Sequence, residues 1–230
     1  RIVAVYEKYD QRGYYVAISE ADRHERLHYV ATIHHGIDMA AFETRSAAGT
    51  YLLFFGRIHP DKGTATAIDV AERTGLPLII AGIIQDHEYF ERMVEPRLDG
   101  ERVKYIGPVG PEARGDLLAG ARALLHLIDF EEPFGYSVVE AMACGTPVIA
   151  NARGSMSEIV RHGEGGYLVH SPDEAVAAVR ALGDLDRLAV RASVERRFDV
   201  DRMVDEYLDV YRVVLAQRRA GRTRPEADSG

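Results

Sequence analysis

Tyr51-Leu52-Leu53-Phe54-Phe55-Gly56-Arg57-Ile58-His59-Pro60-Asp61-Lys62-Gly63 is an apolar, aromatic run of strand length that breaks into a charged loop with glycine at both ends. A helix-compatible stretch follows, so the segment predicts a strand, a tight loop and a helix. Glycine lets the backbone turn sharply, while Arg57 and Lys62 set two cations at the carboxyl end of the strand, where open α/β sheets bind ligands. Two cations there can neutralise a diphosphate. Taken alone, such an Arg and Lys are more often plain solvated charges.

The same unit repeats along the chain. Strand-like apolar runs lie at 51–56, 76–82, 102–107, 123–128, 146–150 and 166–170, and helix-compatible stretches separate most of them. That alternation predicts an α/β fold: a doubly wound, Rossmann-like parallel sheet covered by helices. Ser155-x-x-Glu158 and Ser171-Pro172-Asp173-Glu174 both read as capping boxes, the second with Pro at the first helical position. Near the end, Met203, Val204, Tyr207, Leu208, Tyr211, Val214 and Leu215 follow helical spacing, with Asp205, Glu206, Asp209 and Arg212 opposite, and this stripe should pack on something.

Between Glu132 and Gly145 the chain reads Glu-Pro-Phe-Gly-Tyr-Ser-Val-Val-Glu-Ala-Met-Ala-Cys-Gly. Glu132 lies in the Pro/Gly turn that opens a helix, and Glu140 lies a turn or more inside it. A helix N-terminus presents unpaired N–H groups and partial positive charge, which suits phosphate. Carboxylates beside it cannot hold phosphate oxygens, so their natural ligands are hydroxyl groups. The segment fits a ligand that carries phosphate and polyol together; the bland alternative is an amphipathic helix with a solvated Glu at each end.

This run, followed by Thr146-Pro147-Val148-Ile149-Ala150, resembles the Glu-x7-Glu motif of retaining glycosyltransferases of family 4, and Gly56–Gly63 resembles their Gly-Arg-x4-Lys-Gly loop. The resemblance implies the donor lobe of a two-lobed GT-B enzyme that uses a nucleoside-diphosphate sugar as co-substrate, with UDP favoured as the commonest donor nucleotide among relatives. It implies no cofactor and no metal. Arg57 and Lys62 would grip the diphosphate, Glu132 would hold and orient the sugar without acting as a covalent nucleophile, and Glu140 would accept the ribose hydroxyls. Gly56 opens the cationic loop, and the N–H groups of Gly135 and Tyr136 should meet phosphate or sugar. Gly107, Pro108 and Val109 fall where the family passes the nucleobase, read through backbone groups. Gly82, ending another strand at this edge, either touches ligand or serves a tight turn.

By the same resemblance, residues 1–40 are the end of an acceptor lobe and the crossing from it, with Tyr14–Ala21 as its last strand and turn. Residues 41–200 form the donor lobe, 201–219 a helix returning toward the acceptor lobe, and 220–230 a flexible tail. The residues before Tyr51 are too few to build the other lobe, so the chain is expected to be a piece of a longer protein. Its final helix would then lack part of its partner and favour self-association.

Composition bounds the rest. At 47% apolar and 28% charged residues the balance is globular, and a net charge of −8 disfavours nucleic acid as a partner. One cysteine, Cys144, allows no internal disulfide; with no run of eighteen apolar residues, the expectation is a cytoplasmic chain without a membrane span. Asp184-Leu185-Asp186 spells a metal-binding triplet used by a different glycosyltransferase fold, but its position reads as a helix start. His34-His35 and His126 lack the spacing of a metal site, His24 and His28 sit on a charged, solvated segment, and 163–166 reads as a turn. Three readings stay open: glycosyl transfer to an unidentified saccharide, lipid or small molecule; a nucleotide-sugar epimerase or phosphorylase of the same architecture; and a nucleotide-binding module without turnover.

Overall fold

The computed structural model describes residues 2–10 and 12–219; the tail expected at 220–230 lies outside them. An opening helix, α1 (Ile2–Tyr9), precedes a short parallel pair, β1 (Tyr15–Ala17) and β2 (Tyr29–Thr32). The main sheet has six strands: β3 (Tyr51–Phe55), β4 (Leu78–Ala81), β5 (Val103–Tyr105), β6 (Ala121–His126), β7 (Val148–Asn151) and β8 (Gly166–Val169). All neighbours are parallel, in the order β5-β4-β3-β6-β7-β8. The chain builds outward from β3 to one edge, then returns to lay β6 against β3 and builds toward the other. Helices α2 (Thr64–Thr74), α3 (His87–Tyr89), α4 (Pro111–Ala119), α5 (Tyr136–Ala143), α6 (Met156–Ile159), α7 (Pro172–Arg180), α8 (Arg187–Phe198) and α9 (Val200–Arg219) are joined by loops that carry short 3-10 or π turns.

The apolar runs are continuous because both faces of the sheet are covered. Successive strand side chains point to opposite faces. Leu52 and Phe54 therefore pack with Ile68 and Ala71 of α2 and Val176 and Val179 of α7. Leu53 joins Val139 and Met142 of α5 and Val190 and Val194 of α8 on the other side. The six expected strands are all present, with ends moved by a few residues. At 123–128 the strand starts earlier and stops at His126, and the buried Leu127 and Ile128 belong to the loop beyond.

Two local expectations divide. Ser171 caps α7 by accepting from Glu174 N at 3.2 Å, while the Glu174 carboxylate takes His170 N at 2.9 Å. Ser155 is not a capping box. Its backbone is helical, with φ −70° and ψ −5°, and its hydroxyl donates instead to the Phe134 carbonyl at 2.8 Å. Glu158 is used elsewhere: it accepts from Glu20 N and Ala21 N, each at 2.9 Å, and pairs with His34 Nε2 at 2.8 Å, which ties the first forty residues to α6. Asp186 caps α8 by accepting from Leu188 N at 2.9 Å, as the helix-start reading required. On α9 the apolar stripe is wider than its contact. Met203, Tyr207, Val210 and Val214 are half-buried, whereas Val204, Leu208, Tyr211 and Leu215 face solvent.

Candidate nucleotide-sugar site

A cleft of about 400 Å³ opens at the carboxyl edge of the sheet, where the strand order reverses between β3 and β6. Gly56, Arg57, Lys62, Glu132, Gly135, Tyr136 and Glu140 all line it, so two loops some seventy residues apart in sequence meet at the site that open α/β sheets provide. Gly107, Pro108 and Val109 are not among the lining residues. They follow β5 at the sheet's edge, and the Gly107 carbonyl accepts from Gly82 N at 2.9 Å. Gly82 serves close packing: at φ +148° a Cβ there would fall 1.8 Å from the Gly56 carbonyl oxygen, so only glycine lets these two strand ends meet.

Glu132 is nearly enclosed. Lys62 Nζ lies 3.1 Å from its Oε2, and the two side chains are 15% and 13% exposed. The Lys62 ammonium also sits 4.2 Å from the Phe130 ring centroid. His126, at the end of β6 and buried, brings Nε2 to 3.5 Å from the same oxygen. That distance is the outer limit of hydrogen bonding, and Nε2 has no closer partner, so the contact is electrostatic rather than a formed bond. Burial alone would raise the Glu132 carboxyl above its ordinary range, but His126 and the Lys62 charge overcome this and hold it below. The loop carrying Glu132 rests on Gly154-Ser155. Ser155 N donates to the Glu132 carbonyl at 2.8 Å, and a Cβ on Gly154, at φ +55°, would come within 2.3 Å of that carbonyl oxygen.

Glu140 is held differently. Its side chain is 9% exposed, and Arg114 of α4 donates from Nη1 to Oε1 at 2.5 Å. Burial pushes this carboxyl up, and Arg114 opposes the shift without cancelling it. At the start of α5, Gly135 supplies no side-chain cap, so the first turn lies open along the cleft wall formed by Gly135, Tyr136 and Ser137. The Tyr136 ring stacks on His35, with centroids 5.0 Å apart and planes at 17°, and both rings pack edge-on against buried Phe134. Burial, opposed by Asp22, holds the His35 ring below its ordinary value. Arg57 is exposed at the cleft mouth and its guanidinium donates to Gln85 Oε1.

Three participants were not legible as such. Arg114 belongs to a helix with no apolar periodicity, and His126 and His35 read only as failed metal ligands, because their partners are distant in sequence. Among the described residues, no group of three or more His, Cys, Asp or Glu is arranged to hold a metal ion. Cys144 is buried at the end of α5, where burial pushes its thiol up to about 11. No helix among the described residues is long and apolar enough to cross a membrane.

Six parallel strands flanked by helices, with this cleft at the switch point, are the Rossmann-like lobe of a GT-B glycosyltransferase. AviGT4, a glycosyltransferase involved in avilamycin A biosynthesis, superposes with a TM-score of 0.75 at 30% identity, over 87% of this chain and 64% of its own. Anabaena HepE, solved in complex with UDP-glucose, shares the fold with a TM-score of 0.77 at 22% identity, over 92% and 67%. The chain belongs to the group 1 glycosyltransferases, whose family model matches residues 41–193. D-inositol 3-phosphate glycosyltransferase of Mycobacterium marinum is 30% identical over 227 residues, 86% of this chain and 48% of the relative. The Salinispora tropica protein of the same name is 38% identical over 129 residues, 52% of this chain and 26% of the relative. The chain thus spans about half the length of the first of these curated relatives.

Proposed function

We propose that this chain carries the donor-binding half of a retaining, family 4 glycosyltransferase that moves a sugar from a nucleoside-diphosphate sugar to an acceptor held by another lobe. The observation that carries the reading is the cleft itself: Lys62 paired with Glu132, Arg57 at its mouth, the uncapped start of α5, and Glu140 one helix turn deeper. Cations and helix N–H groups suit a diphosphate, and the two carboxylates suit hydroxyls on either side of it. UDP is the nucleotide we favour; HepE has been solved with it, although that likeness is one of fold.

In this reading the protein's main task is to stabilise negative charge on the departing diphosphate as the glycosyl bond loosens, and Arg57, Lys62 and the α5 N-terminus do so without a metal. Glu132 holds a sugar hydroxyl and Glu140 the ribose. A transferase, rather than an epimerase or phosphorylase, is favoured by the Glu-Pro-Phe-Gly setting of Glu132. Titration of the chain with UDP, GDP, ADP and TDP tests the donor assignment: one nucleoside diphosphate should bind well ahead of the others, and Arg57→Ala with Lys62→Ala should abolish that binding. Failure of all four to bind would refute the reading.

A further inference from the structure

The Lys62–Glu132 pair has a third member that the sugar-holding role does not account for. His126 is the last residue of β6, so its ring is fixed by the sheet, and it is buried in the cleft wall. Its Nε2 is buried without a hydrogen bond, 3.5 Å from Glu132 Oε2. A carboxylate only accepts, so the tautomer that suits this contact carries its proton on Nε2. If His126 merely filled space, a leucine would fill it better, because a buried nitrogen with no bond is costly and an apolar group is not. The geometry of the pair sharpens the point. Lys62 and His126 make their closest approach to the same oxygen, Oε2. One donor on a flexible lysine stem leaves a carboxylate free to swing about that contact. A second ring nitrogen on a rigid strand, at the limit of hydrogen-bonding range, restrains that swing.

We propose that His126 is the positioning residue of Glu132: with Lys62 it holds Oε2 and so aims Oε1 at the donor's sugar. The proposal rests on the assignment of Glu132 to that sugar. The role is confined to ligands that carry the transferable sugar beyond the diphosphate, since UDP has no such group for Oε1 to hold. It depends on the Nε2 donor, which glutamine can supply at nearly the same reach and leucine and asparagine cannot.

Calorimetric titration with UDP and with UDP-glucose tests this on the unaltered chain and on His126→Leu, His126→Gln, Glu132→Gln and the Leu/Gln double variant. His126→Leu should weaken UDP-glucose about fivefold and leave UDP within about twofold, less than a formed hydrogen bond because the 3.5 Å contact is a long one. His126→Gln should recover most of the loss, and His126→Leu should add nothing once Glu132→Gln is present. Should the leucine variant not fold, the contrast between His126→Gln and His126→Asn carries the same information. Equal losses for both ligands, no loss at all, or additive losses in the double variant would overturn the proposal. If Glu132→Gln discriminates the two ligands while His126→Leu does not, only the positioning role fails. If Glu132→Gln does not discriminate them, or the unaltered chain does not bind UDP-glucose, the sugar assignment of Glu132 fails and the proposal with it.

Discussion

Glu140→Gln tests the proposed division of roles, in which Glu140 holds the ribose and Glu132 the sugar. Arg114 occupies Oε1 of Glu140, so Oε2 is the oxygen left for a ribose hydroxyl. Glutamine keeps the shape and an oxygen for Arg114 but removes the charge. The loss is one charge-assisted hydrogen bond, about 1.5–3 kcal/mol, or roughly 10- to 150-fold in affinity. It should fall equally on UDP and UDP-glucose, because the ribose is common to both. The pH dependence gives an independent check. The folded carboxyl sits above its unfolded value because burial outweighs Arg114. The stability it contributes is therefore fully present below the unfolded pKa and lost as pH rises through the raised folded one. Ribose binding needs the charged form and runs the other way, weakening as pH falls through that same raised value. Titrations just above the ordinary carboxylate range should show affinity dropping in the unaltered chain, with a flatter profile in Glu140→Gln. An effect on UDP-glucose alone, or none on either ligand, would refute the ribose assignment.

Nucleoside diphosphate binding should survive a chelator unchanged, because Arg57 and Lys62 supply the counter-charge; a strict need for Mg²⁺ or Mn²⁺ in the same titration would reject that. Glu132 is depressed below its unfolded value, so its stabilising contribution is present above that value and lost as pH falls through the folded one; Glu132→Gln should therefore blunt acid destabilisation, measured by thermal melts across pH. Gly154→Ala should destabilise the chain by about 1–3 kcal/mol through strain at its left-handed backbone and the clash with the Glu132 carbonyl, read in a urea melt; an unchanged midpoint would show that the loop yields freely. Leu208→Ser with Tyr211→Ser should reduce self-association in light scattering and leave nucleotide affinity alone, and a clean monomer before mutation would remove the case for an unpartnered face.

The sheet was legible because burial on both faces writes each strand as an apolar run that hydrophobic pattern alone can detect. Its ends were less so, since Leu127 and Ile128 are as apolar as the strand they follow. Ser155 does not cap although its spacing fits a cap, because a pattern of Ser and Glu three apart cannot reveal that Phe134 and the segment around Glu20 compete for both side chains. The cleft's cations and carboxylates announced themselves through local motifs. Arg114, His126 and His35 did not, because each lies against a neighbour supplied by a different element.

The reversal of strand order also has a kinetic side. Leu52 pairs with Ala123 in the central ladder, so β3 and β6 meet only after a segment on the order of seventy residues has been threaded through β4, β5 and their helices, and such non-local pairings are slow to form. The cleft lies along that seam. A refolding chain should therefore gain helical signal well before it gains affinity for nucleotide, and the ligand becomes a reporter of when that central seam closes.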